Sequence, residues 1–148
     1  MIGSACNAVM VMLFGILSDR VGRRPVYGAG AVLGMMWAFA FFALLDSRRP
    51  AFIVIAVVIG LVIHAAMFGP QAAFVTEQFP TRVRYAGSSL AYTLAGIVGG
   101  GFAPLIFASL FRAYHTSTAI SLYVVAALCA TCVALLSGRE TGKSPLEE

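Results

Sequence analysis

Charged residues divide the chain into five stretches that carry none: Met1–Ser18, Pro25–Leu45, Pro50–Thr76, Tyr85–Phe111 and Ala113–Gly138, of 18, 21, 27, 27 and 26 residues. A helix needs about 20 apolar residues, each rising about 1.5 Å, to cross the hydrocarbon core of a bilayer. Each stretch therefore supplies one crossing and none supplies two. The polar/apolar alternation of barrel strands is absent, which leaves helices as the way to span. The pattern predicts an all-α membrane protein of five transmembrane helices, at about residues 1–17, 26–45, 51–75, 87–111 and 118–136. A short polar tail, 137–148, follows, and it is expected to lack order.

Composition sharpens this picture. Hydrophobic residues make up 60% of the chain and charged residues 11%, with a mean hydropathy of +0.91; soluble domains carry about 25% charged residues. A soluble enzyme, a nucleic-acid binder and a disordered chain are excluded on that ground. A secretory signal at the start is disfavoured as well, because no basic residue precedes Asp19 and a basic cluster follows it.

Five spans put the termini on opposite sides, and lysine and arginine set the orientation. One side receives Arg20, Arg23, Arg24, Arg82, Arg84, Arg139 and Lys143, and the other Arg48, Arg49 and Arg112. Seven against three places the first loop, the third loop and the C-terminus in the cytoplasm. The net charge of +4 then reflects topology and contact with membrane lipid, not nucleic acid.

Candidate chemistry is sparse. Cys129 and Cys132 form a Cys-x-x-Cys inside an apolar helix, with no further Cys, His or acid nearby, so they read as packing residues, like Cys6. No nucleophile–base pair, metal-ligand cluster or phosphate loop supports an enzyme, and no cofactor or metal is expected. The first loop, Gly15-Ile16-Leu17-Ser18-Asp19-Arg20-Val21-Gly22-Arg23-Arg24-Pro25, is the sharpest local signal. Gly22 permits a tight reversal and Pro25 suits the first turn of the next helix. Asp19 is a lone carboxylate beside three arginines, able to pair with them or to cap another helix. A solvated basic loop would explain the arginines, but not Gly15, Asp19 and Gly22 at these spacings.

The loop resembles the signature G-x-x-x-D-R-x-G-R-R of the major facilitator superfamily, matched at every fixed position. The resemblance implies twelve helices in two halves, with this motif after the second helix of each half. Four predicted spans follow it, which corresponds to helices 9 to 12 of such a fold and makes Met1–Leu17 most of helix 8. A second run, Gly69-Pro70-Gln71 through Glu77-Gln78-Phe79-Pro80-Thr81-Arg82-Val83-Arg84 to Gly87, with Ser88–Tyr92 and Gly99-Gly100-Gly101-Phe102-Ala103-Pro104-Leu105, is similar to the bacterial metabolite:H+ symporters. Members of that family carry proline and betaine, shikimate, citrate or 2-oxoglutarate. The resemblance covers nearly the whole chain and implies a bacterial inner-membrane location.

Two segments carry helix-breaking residues. Pro70 follows Gly69 and frees the carbonyl of Ala66; Pro104 follows Gly99, Gly100 and Gly101 and frees that of Gly100. Gly96 and Gly100 also make a small-xxx-small face for another helix. Close packing explains these residues, and so do hinges that bend during alternating access. His64 falls near the middle of its stretch, with Gln71 two turns on along the same face. An ionisable group at that depth is a candidate for substrate or proton contact; a neutral histidine bonded to a neighbouring helix is the alternative. Because helices 8, 10 and 11 of the resembled fold face the central cavity, Asn7, His64, Gln71, Tyr92 and Thr93 are the implied pathway residues. Trp37 is expected against lipid or neighbouring helices, and Tyr27, Tyr114 and Tyr123 as interfacial anchors.

At the cytoplasmic edge, Glu77, Arg82 and Arg84 are explained by solvation and the inside-positive bias. The internal repeat of the resembled fold implies a further role: they and the loop of Gly15, Asp19, Arg20, Gly22, Arg23 and Arg24 would meet the other half as a cytoplasmic gate. The resemblance implies the C-terminal part of a proton-coupled symporter of small organic acids or zwitterions, with the N-terminal half, the metabolite and a proton as partners. A truncated membrane fragment without transport, or a small oligomeric pore, are the competing expectations.

Overall fold

The computed structural model describes residues 2–138, apart from the side chains of Ile2 and Ser4. Its helices are α1 (Ile2–Val21), α2 (Arg23–Asp46), α3 (Pro50–Glu77), α4 (Arg84–Ala95), α5 (Phe102–Tyr114) and α6 (Thr118–Ser137), with a π-helical segment, Gly96–Gly101, joining α4 to α5. The first four charge-free stretches, from Ile2 on, lie in helical runs that reach their charged flanks, while α6 stays within the last stretch. The tail beyond Gly138, with Arg139 and Lys143, lies outside the described residues.

Among the described residues four of the five expected spans are carried by helices of sufficient length and apolarity to cross a membrane: Arg23–Asp46, Pro50–Glu77, Arg84–Tyr114 and Thr118–Ser137. The fifth expected span, α1, is a 20-residue helix whose last turns contain Asp19 and Arg20, so its uncharged part is the shortest. Arg84–Tyr114 is one 31-residue run interrupted by the π-helical turn. Four of the six residues in that turn are glycine, and Pro104 just beyond it withholds an N–H. The ladder can therefore widen from i+4 to i+5 there.

α3 is the centre of the bundle. It packs against α1 and α2, and α6 packs on the far side of α2. The interfaces are built from small side chains, with Ala31, Ala38, Ala56, Ala65, Ala66 and Pro70 buried. Without a hydrophobic drive between helices in lipid, association rests on such close approach. Gly69 meets α1 backbone to backbone: a Cβ there would lie 2.8 Å from the carbonyl oxygen of Val11 and 2.9 Å from the nitrogen of Gly15. Gly30 is as tight against α3, with 2.8 Å to Met67 Cγ. Ser121, fully buried in α6, donates to the carbonyl of Ala38 in α2 at 3.3 Å.

Large apolar side chains point outward instead. Met12, Met36, Leu90, Leu105 and Leu136 are each more than 60% exposed, an arrangement that water would not tolerate and lipid favours. In the run Arg84–Tyr114 no residue of the apolar window is buried, and a Cβ on Gly96, Gly99, Gly100 or Gly101 would meet nothing within 4 Å. Among the described residues no helix uses the small-residue face formed there.

Candidate functional site

The α1–α2 connection is a single glycine. Gly22 has φ 119° and ψ 152°, a region essentially restricted to glycine, and its N–H still bonds the Ser18 carbonyl at 3.0 Å. This reversal starts α2 at Arg23, within reach of the last turn of α1. Arg23 Nη1 donates to Asp19 Oδ1 at 2.7 Å, and Arg23 Nε donates to both oxygens of Glu77, at 2.8 and 2.9 Å. Three helix ends are thus joined through one guanidinium.

The two ion pairs differ in environment. The Arg23 and Glu77 side chains are only 15% and 16% exposed, whereas Asp19 is 60% exposed. Charge-assisted bonds strengthen as water is excluded, so the Glu77 bond dominates. Glu77 closes α3, where a carboxylate opposes the negative end of the helix dipole; Arg23 offsets that cost. Ser18 is buried beneath the pair, donating to the Gly15 carbonyl at 2.7 Å. Arg24 turns the other way, and its Nη2 donates to the Leu136 carbonyl at 3.0 Å, a cation on the C-terminal turn of α6. Asp19, Arg23, Arg24 and Glu77 therefore fasten α1, α2, α3 and α6 at one face of the bundle.

The remaining charges of the expected gate are placed differently. Arg20 and Arg82 are exposed. Arg84 Nε donates to the Phe79 carbonyl at 3.3 Å, holding the α3–α4 connection, and the Phe79 ring fills the space over Gly87. The sequence reading placed Glu77 with Arg82 and Arg84 and missed its bond to Arg23. One signal could have found it: before the tail, Asp19 and Glu77 are the only acids on that side.

The polar residues at mid-span do not converge into one cluster. Asn7 is half-buried, and its Oδ1 is buried without a hydrogen bond among the described residues. Gly3 meets Leu61 and Val11 meets Gly69, so Asn7 shares a layer with His64–Ala65 of α3. His64 is exposed, its ring stacked on Phe68 with centroids 5.4 Å apart. Gln71 is half-buried two turns further on. Tyr92 and Thr93 lie exposed on α4, with the Thr93 hydroxyl donating back to the Ser89 carbonyl at 2.9 Å. Gly69 and Pro70 sit in the tight α1–α3 crossing, while Gly99, Gly100, Gly101 and Pro104 lie in or next to the open π-helical turn. Trp37 is half-buried beside Gly60, with Nε1 unpaired among the described residues. Tyr27 and Tyr123 rest edge-on against Phe74 and Phe107. No group of three or more His, Cys, Asp or Glu suited to a metal ion occurs among the described residues.

Helices this apolar on their outer surfaces, tied by ion pairs at one end, define a multi-pass membrane protein. The whole chain, residues 1–148, matches the Major Facilitator Superfamily, and it belongs to that family. It is 40% identical over 90% of its length to the inner membrane metabolite transport protein YhjE of Escherichia coli K12. It is 33% identical over 81% to the shikimate transporter of the same organism, and 34% identical over 80% to the citrate-proton symporter of Klebsiella pneumoniae. The chain spans 28–30% of the length of these curated relatives. No solved structure matches it.

Proposed function

We propose that this chain forms the C-terminal part of a secondary active transporter, a proton-coupled symporter of small organic acids or zwitterions working by alternating access. In this reading all five spans, α1 included, cross the bacterial inner membrane, and the Gly22 loop and the C-terminus face the cytoplasm. The metabolite and the proton pass beside Asn7, His64, Gln71, Tyr92 and Thr93, between this wall and an N-terminal half.

The observation that carries the reading is the shielded Arg23–Glu77 pair, reinforced by Asp19, at one membrane face. A protein that rocks one bundle against another around a midplane site needs discrete contacts at its faces that hold or release a state. Asp19 keeps an exposed edge for a partner in the other half, and the open face of Arg84–Tyr114 offers the packing surface. The π-helical turn Gly96–Gly101 gives this span a point at which to flex.

Uptake into vesicles by the complete transporter containing this chain tests the proposal. Radiolabelled shikimate, citrate, proline and betaine are offered with and without an inward proton gradient. One of these classes is expected to accumulate, with the gradient raising its rate. His64→Ala is expected to lower that rate and flatten its pH dependence. Uptake indifferent to the gradient would remove the proton, and unchanged uptake by His64→Ala would remove His64 from the pathway. Lack of uptake of every class would favour a membrane fragment without transport.

A further inference from the structure

One cavity among the described residues lies away from the polar candidates. It is a groove of about 280 Å³ between α1 and α2, floored by α3, and every residue lining it is apolar. Leu17, Val21 and Pro25 form its end near the Gly22 loop, and Ala29, Leu33 and Val62 carry it toward mid-membrane. Gly22 joins α1 and α2 at that end of the groove.

Water has no polar partner along such a wall and gains nothing by filling it. Hydrocarbon does. Arg20 lies one turn beyond Leu17 and directly before Val21, two residues of the lining. Its neighbours Arg23 and Arg24 are engaged with Asp19, Glu77 and Leu136. Arg20 is exposed and makes no hydrogen bond or ion pair among the described residues. An apolar slot running inward from a cation at the membrane edge fits one chemistry: an acyl chain below an anionic headgroup. Basic pockets between membrane helices on the cytoplasmic side take such lipids.

We propose that this groove seats an acyl chain of an anionic phospholipid of the inner leaflet, its phosphate on Arg20. The placement in the inner leaflet rests on the orientation proposed above; the preference for an anionic headgroup does not. A lipid so placed wedges α1 and α2 apart beside the Arg23–Glu77 pair and couples membrane composition to that contact.

Native mass spectrometry of the detergent-purified full chain, titrated with phosphatidylglycerol or phosphatidylcholine of matched acyl chains, tests this. Phosphatidylglycerol is expected to bind about fivefold more tightly, the factor one basic side chain supplies at an anionic surface. Arg20→Gln is expected to bring it down to the phosphatidylcholine level, and Arg20→Lys to keep the preference. Ala29→Trp, which fills the groove, is expected to weaken both lipids, and Ala29→Ile repeats the test if the larger residue disturbs folding. Equal binding of the two lipids by the unmodified chain would overturn the headgroup contact. Phosphatidylglycerol binding untouched by either groove-filling variant would overturn the groove, whether the lipid then sits elsewhere or another segment covers the slot.

Discussion

Glu77→Gln is expected to loosen the Gly22 end of the bundle well beyond the effect of Asp19→Asn. The Arg23 guanidinium, 15% exposed, would keep its burial and lose the better shielded of its two carboxylate acceptors, Glu77 and Asp19. Leaving such a group underpaired costs about 1–3 kcal/mol, less than for a deeply buried pair because some water still reaches it. Arg23→Gln should cost a similar amount by exposing Glu77 to the end of its own helix dipole. Removing both should cost less than the sum, since neither charge is then stranded, with a coupling of about 1–3 kcal/mol. Asp19→Asn is the internal comparison: its pair is 60% exposed on the carboxylate side, and exposed pairs contribute about 0–1 kcal/mol. Thermal unfolding in detergent of the four variants checks the ranking. Unfolding of Glu77→Gln at the temperature of the unmodified chain would mean that the pair holds nothing together.

Gly69→Leu is expected to have the larger effect on folding. The first added carbon would fall within 3 Å of two backbone atoms of α1, and backbone cannot swing aside as a flexible side chain can. Overpacking typically costs about 1–3 kcal/mol, and a clash with backbone in the main crossing belongs at or above the top of that range. Yield of monodisperse protein should fall sharply. Two glycines provide controls. A Cβ on Gly60 meets Phe41 at 3.5 Å, an ordinary contact, and one on Gly100 meets open space. Gly60→Ala and Gly100→Ala should therefore leave the yield of this chain nearly unchanged. Aggregation of all three alike would refute the crossing as the sensitive point.

The glycines also show what the sequence can and cannot reveal. Gly69 and Gly100 stand in similar glycine–proline settings and invite the same expectation of a bend. The difference between them is tertiary: one is pressed against α1, and the other lies in a turn that no described helix covers. Helix positions were legible because charge is costly in hydrocarbon, so Arg23, Asp46, Glu77, Arg84 and Arg112 punctuate the chain. The width of the π-helical turn was not legible, since glycine and proline signal weakness in the ladder but not its new register. The Arg23–Asp19 contact follows from loop spacing, four positions apart across Gly22. The Arg23–Glu77 contact joins residues 54 apart and depends on α2 packing against α3. Charge accounting on that face would have narrowed the partners of Arg23 to two acids, but only the packing selects Glu77 as the shielded one. α1 has the shortest uncharged part of the helical runs, since Asp19 and Arg20 fall in its last turns.

The orientation of the bundle underlies the gate, the lipid site and the transport direction together, and cysteine labelling reads it directly. In a cysteine-free background, single cysteines at Arg82 and at Arg48 are exposed to a membrane-impermeant maleimide in intact cells and again after lysis. Arg82→Cys should label only once the membrane is opened, and Arg48→Cys in intact cells as well. Labelling of Arg82→Cys in intact cells with Arg48→Cys protected would invert the protein and contradict the account.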